Sequence, residues 1–351
     1  MSVSRAFAVG VLLVSGSGCA SQAPDERGLD DDAEAKRVHA VIVVERVDGS
    51  DGSRGSVSAK FIRVSEPDLS LAERLVGSRP LLPEATECLA IPTLEQAEAE
   101  AQRRAILLPE SAPLALRARG GPFFDSRGKP RELDVELLDV GDVHLSVRGA
   151  DDASGTSADL ALAPRAFPDV GDIASGIFYT SPDASQAFAA PGRYHVGGTG
   201  TDALEAFDLD VAAPSAPGGL RVAGTALDDD PAASTDAISV ARGADVPIEW
   251  TTERTDGDIV YVDVRGDSTI RCAFPDTGSL VLPAELVQRL EEVAGPSGAS
   301  TETASELTLT VHRYAERHAT VSLPHASSAD AGVADAIVRF DLARTQHLTV
   351  R

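Results

Sequence analysis

The chain has 351 residues, with 55 acidic against 31 basic side chains, a net charge of −24 and a hydrophobic fraction of 43%. That much apolar material supports real cores. The acidity argues against nucleic-acid binding and against docking on anionic lipid, since both need clustered Lys and Arg.

The first element in the chain reads as an export signal. Arg5 supplies a positive start, Ala6 to Val14 are continuously apolar, and Ser15-Gly16-Ser17-Gly18 leads into Cys19. So short an apolar run cannot span a bilayer, which takes roughly 20 residues of helix, so residues 1–18 are expected to be a cleaved signal. Gly18-Cys19 resembles the lipobox of bacterial lipoproteins, with Gly16 standing where that motif usually has Leu. The resemblance implies cleavage before Cys19 and its acylation, an anchor that holds durably once two or more chains are attached. Ala20, in place of Asp, implies transfer to the outer membrane, facing the periplasm or the cell surface. Residues 20–35 carry six acidic groups, one Arg and almost no apolar side chains, so 19–37 reads as a lipidated, disordered tether.

From residue 38 the pattern is mostly strand. Asp48-Gly49-Ser50-Asp51-Gly52 reads as a hairpin tip. Alternation is clear in Leu133-Val135-Leu137, Val143-Leu145-Val147, Val246-Ile248-Trp250, Leu307-Leu309-Val311 and Ala336-Val338-Phe340-Leu342. One apolar and one polar face per strand points to antiparallel sheets. Two helices are predicted. Residues 94–105 carry a Thr93/Gln96 capping box, and 283–294 begin at Pro283 and share Leu286, Leu290 and Val293 on one face. The run 213–219 reads as a Pro/Gly hinge. The expectation is therefore a mainly β chain of two antiparallel sandwich-type domains, 38–212 and 220–351, the second immunoglobulin- or fibronectin-like with Trp250 inside.

Motif searching is mostly negative. The chain has no His-Glu-x-x-His, no Walker A loop, no Cys-x-x-Cys and no Gly-x-Ser-x-Gly after the signal. Gly198-Thr199-Gly200-Thr201-Asp202-Ala203 fits a dinucleotide fingerprint, but that fingerprint needs a following helix, and Phe207-Leu209-Val211 read as strand. No cofactor is expected. His144 and His312 fall on polar strand faces and read as solvated. Cys272 alternates with Ile270 and Phe274, pointing into the second core. Cys88 belongs to the first domain, so both thiols are expected to be free despite an oxidising compartment.

One constellation repeats: Asp139-Val140-Gly141-Asp142 and Asp169-Val170-Gly171-Asp172 flank an out-and-back strand pair. Each reads as a tight turn, with Asp bonding local backbone and Gly supplying positive φ. The alternative is a hard-cation site built from Asp139, Asp142, Asp169 and Asp172.

The signal with Gly18-Cys19, the hinge, and Arg271-Cys272-Ala273-Phe274-Pro275-Asp276 leading to Val281-Leu282-Pro283-Ala284 resemble the uncharacterised lipoproteins common in myxobacteria. The resemblance covers the signal and the last third best. It implies an envelope location and carries no activity and no catalytic residues. The functional expectation is a lipid-anchored envelope protein acting as a binding or structural module, with an envelope protein or polysaccharide as partner. The alternatives are an exported hydrolase with a non-standard site in the first domain, or an accessory subunit of an envelope machine.

Overall fold

Alternation of apolar and polar residues makes strands of most of the chain from residue 37 onward. They run as β1 (Arg37–Gly49), β2 (Gly52–Val64), α1 (Leu69–Leu75), β3 (Cys88–Ile91), β4 (Val135–Leu137), β5 (Val143–Gly149), β6 (Ser157–Phe167), β7 (Ala174–Ser181), β8 (Gly192–Gly198) and β9 (Phe207–Ala212). After these come β10 (Arg221–Val222), β11 (Thr225–Ala226), β12 (Ile238–Val240), β13 (Val246–Glu249), β14 (Ile259–Arg265), β15 (Thr269–Pro275), β16 (Ser279–Leu282), α2 (Ala284–Val293), β17 (Ser305–His318), β18 (Thr320–Ser322) and β19 (Val333–Val350). The structure is a computed structural model that describes residues 36–50, 52–65, 68–91, 135–149, 157–167, 174–181, 183–184, 192–227, 237–253, 257–266, 268–293, 305–322 and 332–351. Cys19, Asp169, Asp172 and the helix predicted at 94–105 lie outside these residues. The fold is mainly β, as the alternation requires.

β1 and β2 form the predicted hairpin, with Gly49 opposite Gly52. β1 also pairs in parallel with β19, from Val38 opposite Val333 to Asp48 opposite Arg344. The main sheet runs β18-β9-β8-β5-β6-β7-β4-β2-β1-β19-β17-β14-β15-β3, and a second sheet runs β11-β10-β13-β16. β17 passes through Ala319 into β18, which pairs with β9, while Ala319 N–H donates to Ala336 on β19. The path therefore curls back on itself around a core.

There are two large cores, and β19 serves both with the same face. Ala336, Val338, Phe340 and Leu342 enter the first core, beside Ile42, Val44, Phe61, Tyr179 and Phe207. Leu348 and Val350 enter the second, beside Trp250, Val262, Val311 and Leu286 of α2. Side chains of this size contribute about 1.5–3 kcal/mol each when fully buried. The segment expected as a hinge, 213–219, joins β9 to β10 where the chain leaves the first core for the second. The chain then returns through Ala319–Leu342 to complete the first, and residues 36–351 gather as one compact unit.

α2 starts one residue after the predicted position, with Asp245 capping Ala284 N–H at 2.9 Å. α1 was not anticipated. Its C-terminus closes with Ser78 N–H on Glu73 O and Gly77 N–H on Arg74 O, the paired bonds of a glycine-terminated helix. Gly77 takes φ +66° there. Leu71, Ala72 and Val76 cover Val41, Ile62 and Val64, so α1 sits on the sheet face opposite the two cores.

The two cysteines correct the expectation of free thiols. After α1 the chain does not stay with the first core; it crosses to the far edge of the sheet and adds β3 to β15. Cys88 then lies directly opposite Cys272, and the two form a disulfide with Cα atoms 4.0 Å apart. Cys272 is fully buried in the second core, as its alternation predicted. Its partner reaches it from the neighbouring strand, so no packing is dismantled.

Candidate functional site

Period-2 geometry sends the other set of side chains to the face opposite the cores. Across β15, β14, β17, β19, β1 and β2 these include Arg271, Asp263, Tyr261, His312, Asp341, Glu45, Ser56 and Arg54. Register places Tyr261 opposite His312, Asp263 opposite Arg271, Asp341 opposite Glu45, and Glu45 opposite Ser56. Between them opens a cleft of about 360 Å³.

At the cleft floor Asp341 accepts twice. One oxygen lies 2.9 Å from His312 Nδ1, and the other takes the Tyr261 hydroxyl. Asp263 is held bidentately by Arg271, at 2.8 and 2.7 Å, with its Oδ2 3.7 Å from His312 Nε2. A planar fork on a carboxylate fixes both groups in orientation. His312 stacks on the Tyr261 ring at 4.1 Å and 12°, and the Arg271 guanidinium lies 4.5 Å from the same ring. β14 runs between β17 and β15, so these neighbours occupy the two faces of the ring. Burial first, and then the Asp341 charge and hydrogen bond, hold the Tyr261 hydroxyl protonated far above the usual phenol range, against the pull of Arg271. Tyr261 is thus a donor.

The rim differs from the floor. Ser56 donates to Glu45 at 2.7 Å, while Arg54 and Val47 are exposed. Among the described residues Arg54 has no side-chain partner. Farther along the same face, Arg339 is fully buried and bonds Glu73 at 2.9 Å, Glu316 at 3.2 Å and Ser78 O at 3.0 Å. Beside it burial pushes the Lys60 amine down to about 8, with Glu45 opposing that shift and Arg339 adding to it.

His312 stands on the predicted polar face, but its side chain is only 12% exposed. It is a packed member of the network, which corrects the reading of it as solvated; His144 is exposed as expected. In chemical terms the floor offers a His–Asp pair. Among the described residues no hydroxyl or thiol hydrogen-bonds His312, so the pair has no attached nucleophile.

Asp139 and Asp142 lie elsewhere, in a turn before β5. Asp139 Oδ1 accepts from Gly141 N–H at 3.0 Å and from the Tyr179 hydroxyl at 2.8 Å, and Gly141 takes φ +78°. The loop at 198–201 interlocks with this turn: Asp142 N–H donates to Thr199 Oγ1, and Thr201 Oγ1 donates to Asp139 O. This is the turn geometry predicted for the first Asp-Val-Gly-Asp. The same loop joins β8 directly to strand β9, not to a helix. Among the described residues no three His, Cys, Asp or Glu side chains gather as a metal site, and no helix is long and apolar enough to cross a membrane.

Of the site residues on the open face, the sequence pointed to His312 alone, as a solvated side chain on a polar strand face. The signal was there in the alternate polar positions of β14 and β17, Tyr261-Asp263 and Thr310-His312-Tyr314. Only the register between strands shows that they meet.

No protein-family model matches the chain, and no curated protein matches it. Among solved structures it is similar to the mu-homology domain of yeast delta-COP-I, at 11% identity and a TM-score of 0.21, over 90% of this chain and 98% of that one. The same domain complexed with a Dsl1 WxWxV peptide matches at 8% identity and a TM-score of 0.19, with the same coverage. At these scores the likeness carries no conclusion about fold or function.

Proposed function

We propose that the chain is a binding module of the cell envelope, held on the outer membrane through a lipid on Cys19 and presenting the open-face cleft to a polar partner. The observation that carries the binding reading is the construction of that cleft. Its groups stand on neighbouring strands of one sheet with their mutual bonds already made, a preorganised surface that suits recognition. The export signal and acidic tether support the address, as does the resemblance to myxobacterial lipoproteins. Two separate cores support the finer architecture, a pair of sandwich-type lobes in tandem with an immunoglobulin- or fibronectin-like second lobe.

Of the two expected partner classes, the cleft suits a polar protein segment better than a polysaccharide. Sugar rings stack on open aromatic faces, and both faces of Tyr261 are occupied. A service role within an envelope machine is compatible with the same surface. The hydrolase alternative draws on His312 and Asp341 in the cleft, and it is less favoured because no hydroxyl or thiol among the described residues hydrogen-bonds His312.

Two measurements test the proposal. Intact mass of protein isolated from its own envelope should show acyl chains on Cys19, and an unmodified N-terminus would remove the anchor. Affinity capture with wild type and with Arg54→Glu should yield a partner that the variant loses. A partner retained equally by both would move the binding surface off the cleft.

A further inference from the structure

The segment between α1 and β3, continuing through β3, crosses the open sheet face beside the cleft. It is fastened at several points. Arg339 takes Ser78 O, Arg271 Nη1 donates to Leu81 O at 3.1 Å, and Leu82 packs on Tyr261, Ala273 and Tyr314. Thr86 N–H donates to Ala273 O at 2.7 Å, Ala273 N–H to Glu87 O at 3.1 Å, and β3 then pairs with β15 for four residues. Its one covalent fastening is Cys88–Cys272.

Two features mark this strap as releasable. The first is the asymmetry of the disulfide: Cys88 is exposed on an edge strand, whereas Cys272 is fully buried. Exposed disulfides are the labile ones, since exchange needs access to a sulfur. The second is what lies under the strap. Tyr314 is 5% exposed and belongs to the cluster that Leu82 covers, and among the described residues its hydroxyl has no hydrogen-bond partner. A closed strap leaves a buried hydroxyl unsatisfied, and an open one returns it to water. Leu81, at 62% exposure, leaves most of its side chain in solvent and does little to hold the strap down.

We propose that Cys88–Cys272 is a redox latch on this strap, and that its reduction opens the cleft along the sheet face toward Tyr314. The proposal rests on the cleft being the binding surface for its biological meaning, but not for its test. A dithiol supplies the two electrons. Its thiolate attacks Sγ of the exposed Cys88, the S–S bond breaks, and Cys272 leaves as a thiolate that takes up a proton within its apolar surroundings. The second thiol of the reductant then attacks its own sulfur in the mixed disulfide. This closes the reductant into a cyclic disulfide and frees Cys88, which is protonated in turn. Arg271 keeps its fork on Asp263, so the cleft floor survives while the strap beside it is freed.

The test is hydrogen exchange on the full chain, oxidised and after dithiothreitol without denaturant, with iodoacetamide to report free thiols. Reduction should proceed under native conditions, and Cys88 should alkylate at least tenfold faster than Cys272. Amides of 79–91 should exchange at least tenfold faster, while β1, β2 and β19 stay unchanged. Cys88→Ser should show the same open pattern without reductant. A bond reduced only in denaturant, unchanged exchange in 79–91, or loss of protection in all strands together would each overturn the latch. None of these readouts involves a partner, so failure to capture one at the cleft leaves the latch result standing, and the reverse.

Discussion

Asp276 and Arg313 form an ion pair sealed inside the protein, Nε to Oδ2 at 3.0 Å, with side chains 3% and 1% exposed. The second oxygen of Asp276 accepts from Trp250 Nε1 at 2.5 Å. Arg313 Nη1 donates to Ser215 O at 2.9 Å and Ala216 O at 3.4 Å, and Nη2 donates to Thr251 O at 2.6 Å. Arg313 thus pins the Pro/Gly segment between β9 and β10 to β17, a strand of the second core. The segment has the composition of a hinge and the bonding of a clamp.

Removing one partner of such a pair strands a buried charge. Asp276→Ala is expected to cost about 3–5 kcal/mol in denaturant unfolding. Asp276→Asn should cost less, because its amide oxygen can still accept one of the two bonds. A loss below about 1 kcal/mol for the alanine variant, the range of exposed pairs, would mean that the clamp is not closed in solution.

At the turn before β5, Gly141→Ala meets two obstacles. The backbone is at φ +78°, and the added Cβ would lie 2.5 Å from Thr199 Oγ1 and 2.7 Å from Gly200 O. Gly52, at φ +100° with nothing within 4 Å, supplies the control for conformational strain alone. Gly52→Ala should cost about 1 kcal/mol and Gly141→Ala clearly more. Equal costs would show that the interlock with the 198–201 loop is absent. Asp139→Asn should be mild, since an amide oxygen can still accept from Gly141 N–H and the Tyr179 hydroxyl.

In the cleft, floor and rim should respond differently. Asp341→Ala leaves the buried Tyr261 hydroxyl and His312 without their shared acceptor, at a cost of about 1–3 kcal/mol. Arg54→Ala, on the exposed rim, should change stability by less than about 0.5 kcal/mol. Thermal melts of the two variants suffice, and comparable losses would contradict the division between scaffold and contact surface.

Alkaline stability follows from Lys60 and the tyrosines. Lys60 has its pKa lowered from 10.5 to about 8, mainly by burial. Between those values the unfolded chain binds more protons there than the folded one, so the Lys60 contribution rises with pH across that window. All four tyrosines have raised values, Tyr179 pushed up to about 12, with burial the largest cause in each. Above pH 10 the folded chain therefore binds more protons at these groups, and stability falls. Lys60→Met should raise the melting temperature at pH 7 and lose that advantage by pH 10. Tyrosinate absorbance should appear only with unfolding. A constant Lys60→Met gain from pH 7 to pH 10, or tyrosine ionisation in the native state near pH 10, would contradict these assignments.

Local pattern carried much of the fold. The alternation of Leu307-Leu309-Val311, the hairpin tip at Gly49–Gly52, the strand after Gly200 and the helix after Pro283 all read directly from short-range sequence. What was illegible was partnership. Nothing near Cys88 says that its strand joins the edge beside Cys272. Nor does anything near His312 say that Asp341 and Tyr261 will flank it. Both depend on register between distant strands. α1 escaped notice because its apolar set, Leu71-Ala72-Val76, is short and its stop signal, Gly77, stands beyond it.

The parallel pairing of β1 with β19 has a consequence for how the chain comes to be folded. Val38 must wait for Val333. Until then one flank of β1 is a bare edge, long and rich in valine, of the kind that recruits other chains. Closing so large a loop late makes assembly slow and dependent on distant contacts. Fragments that stop before β19 should therefore be prone to cross-pairing between molecules, and protection of the nascent chain matters most over the interval between the two strands.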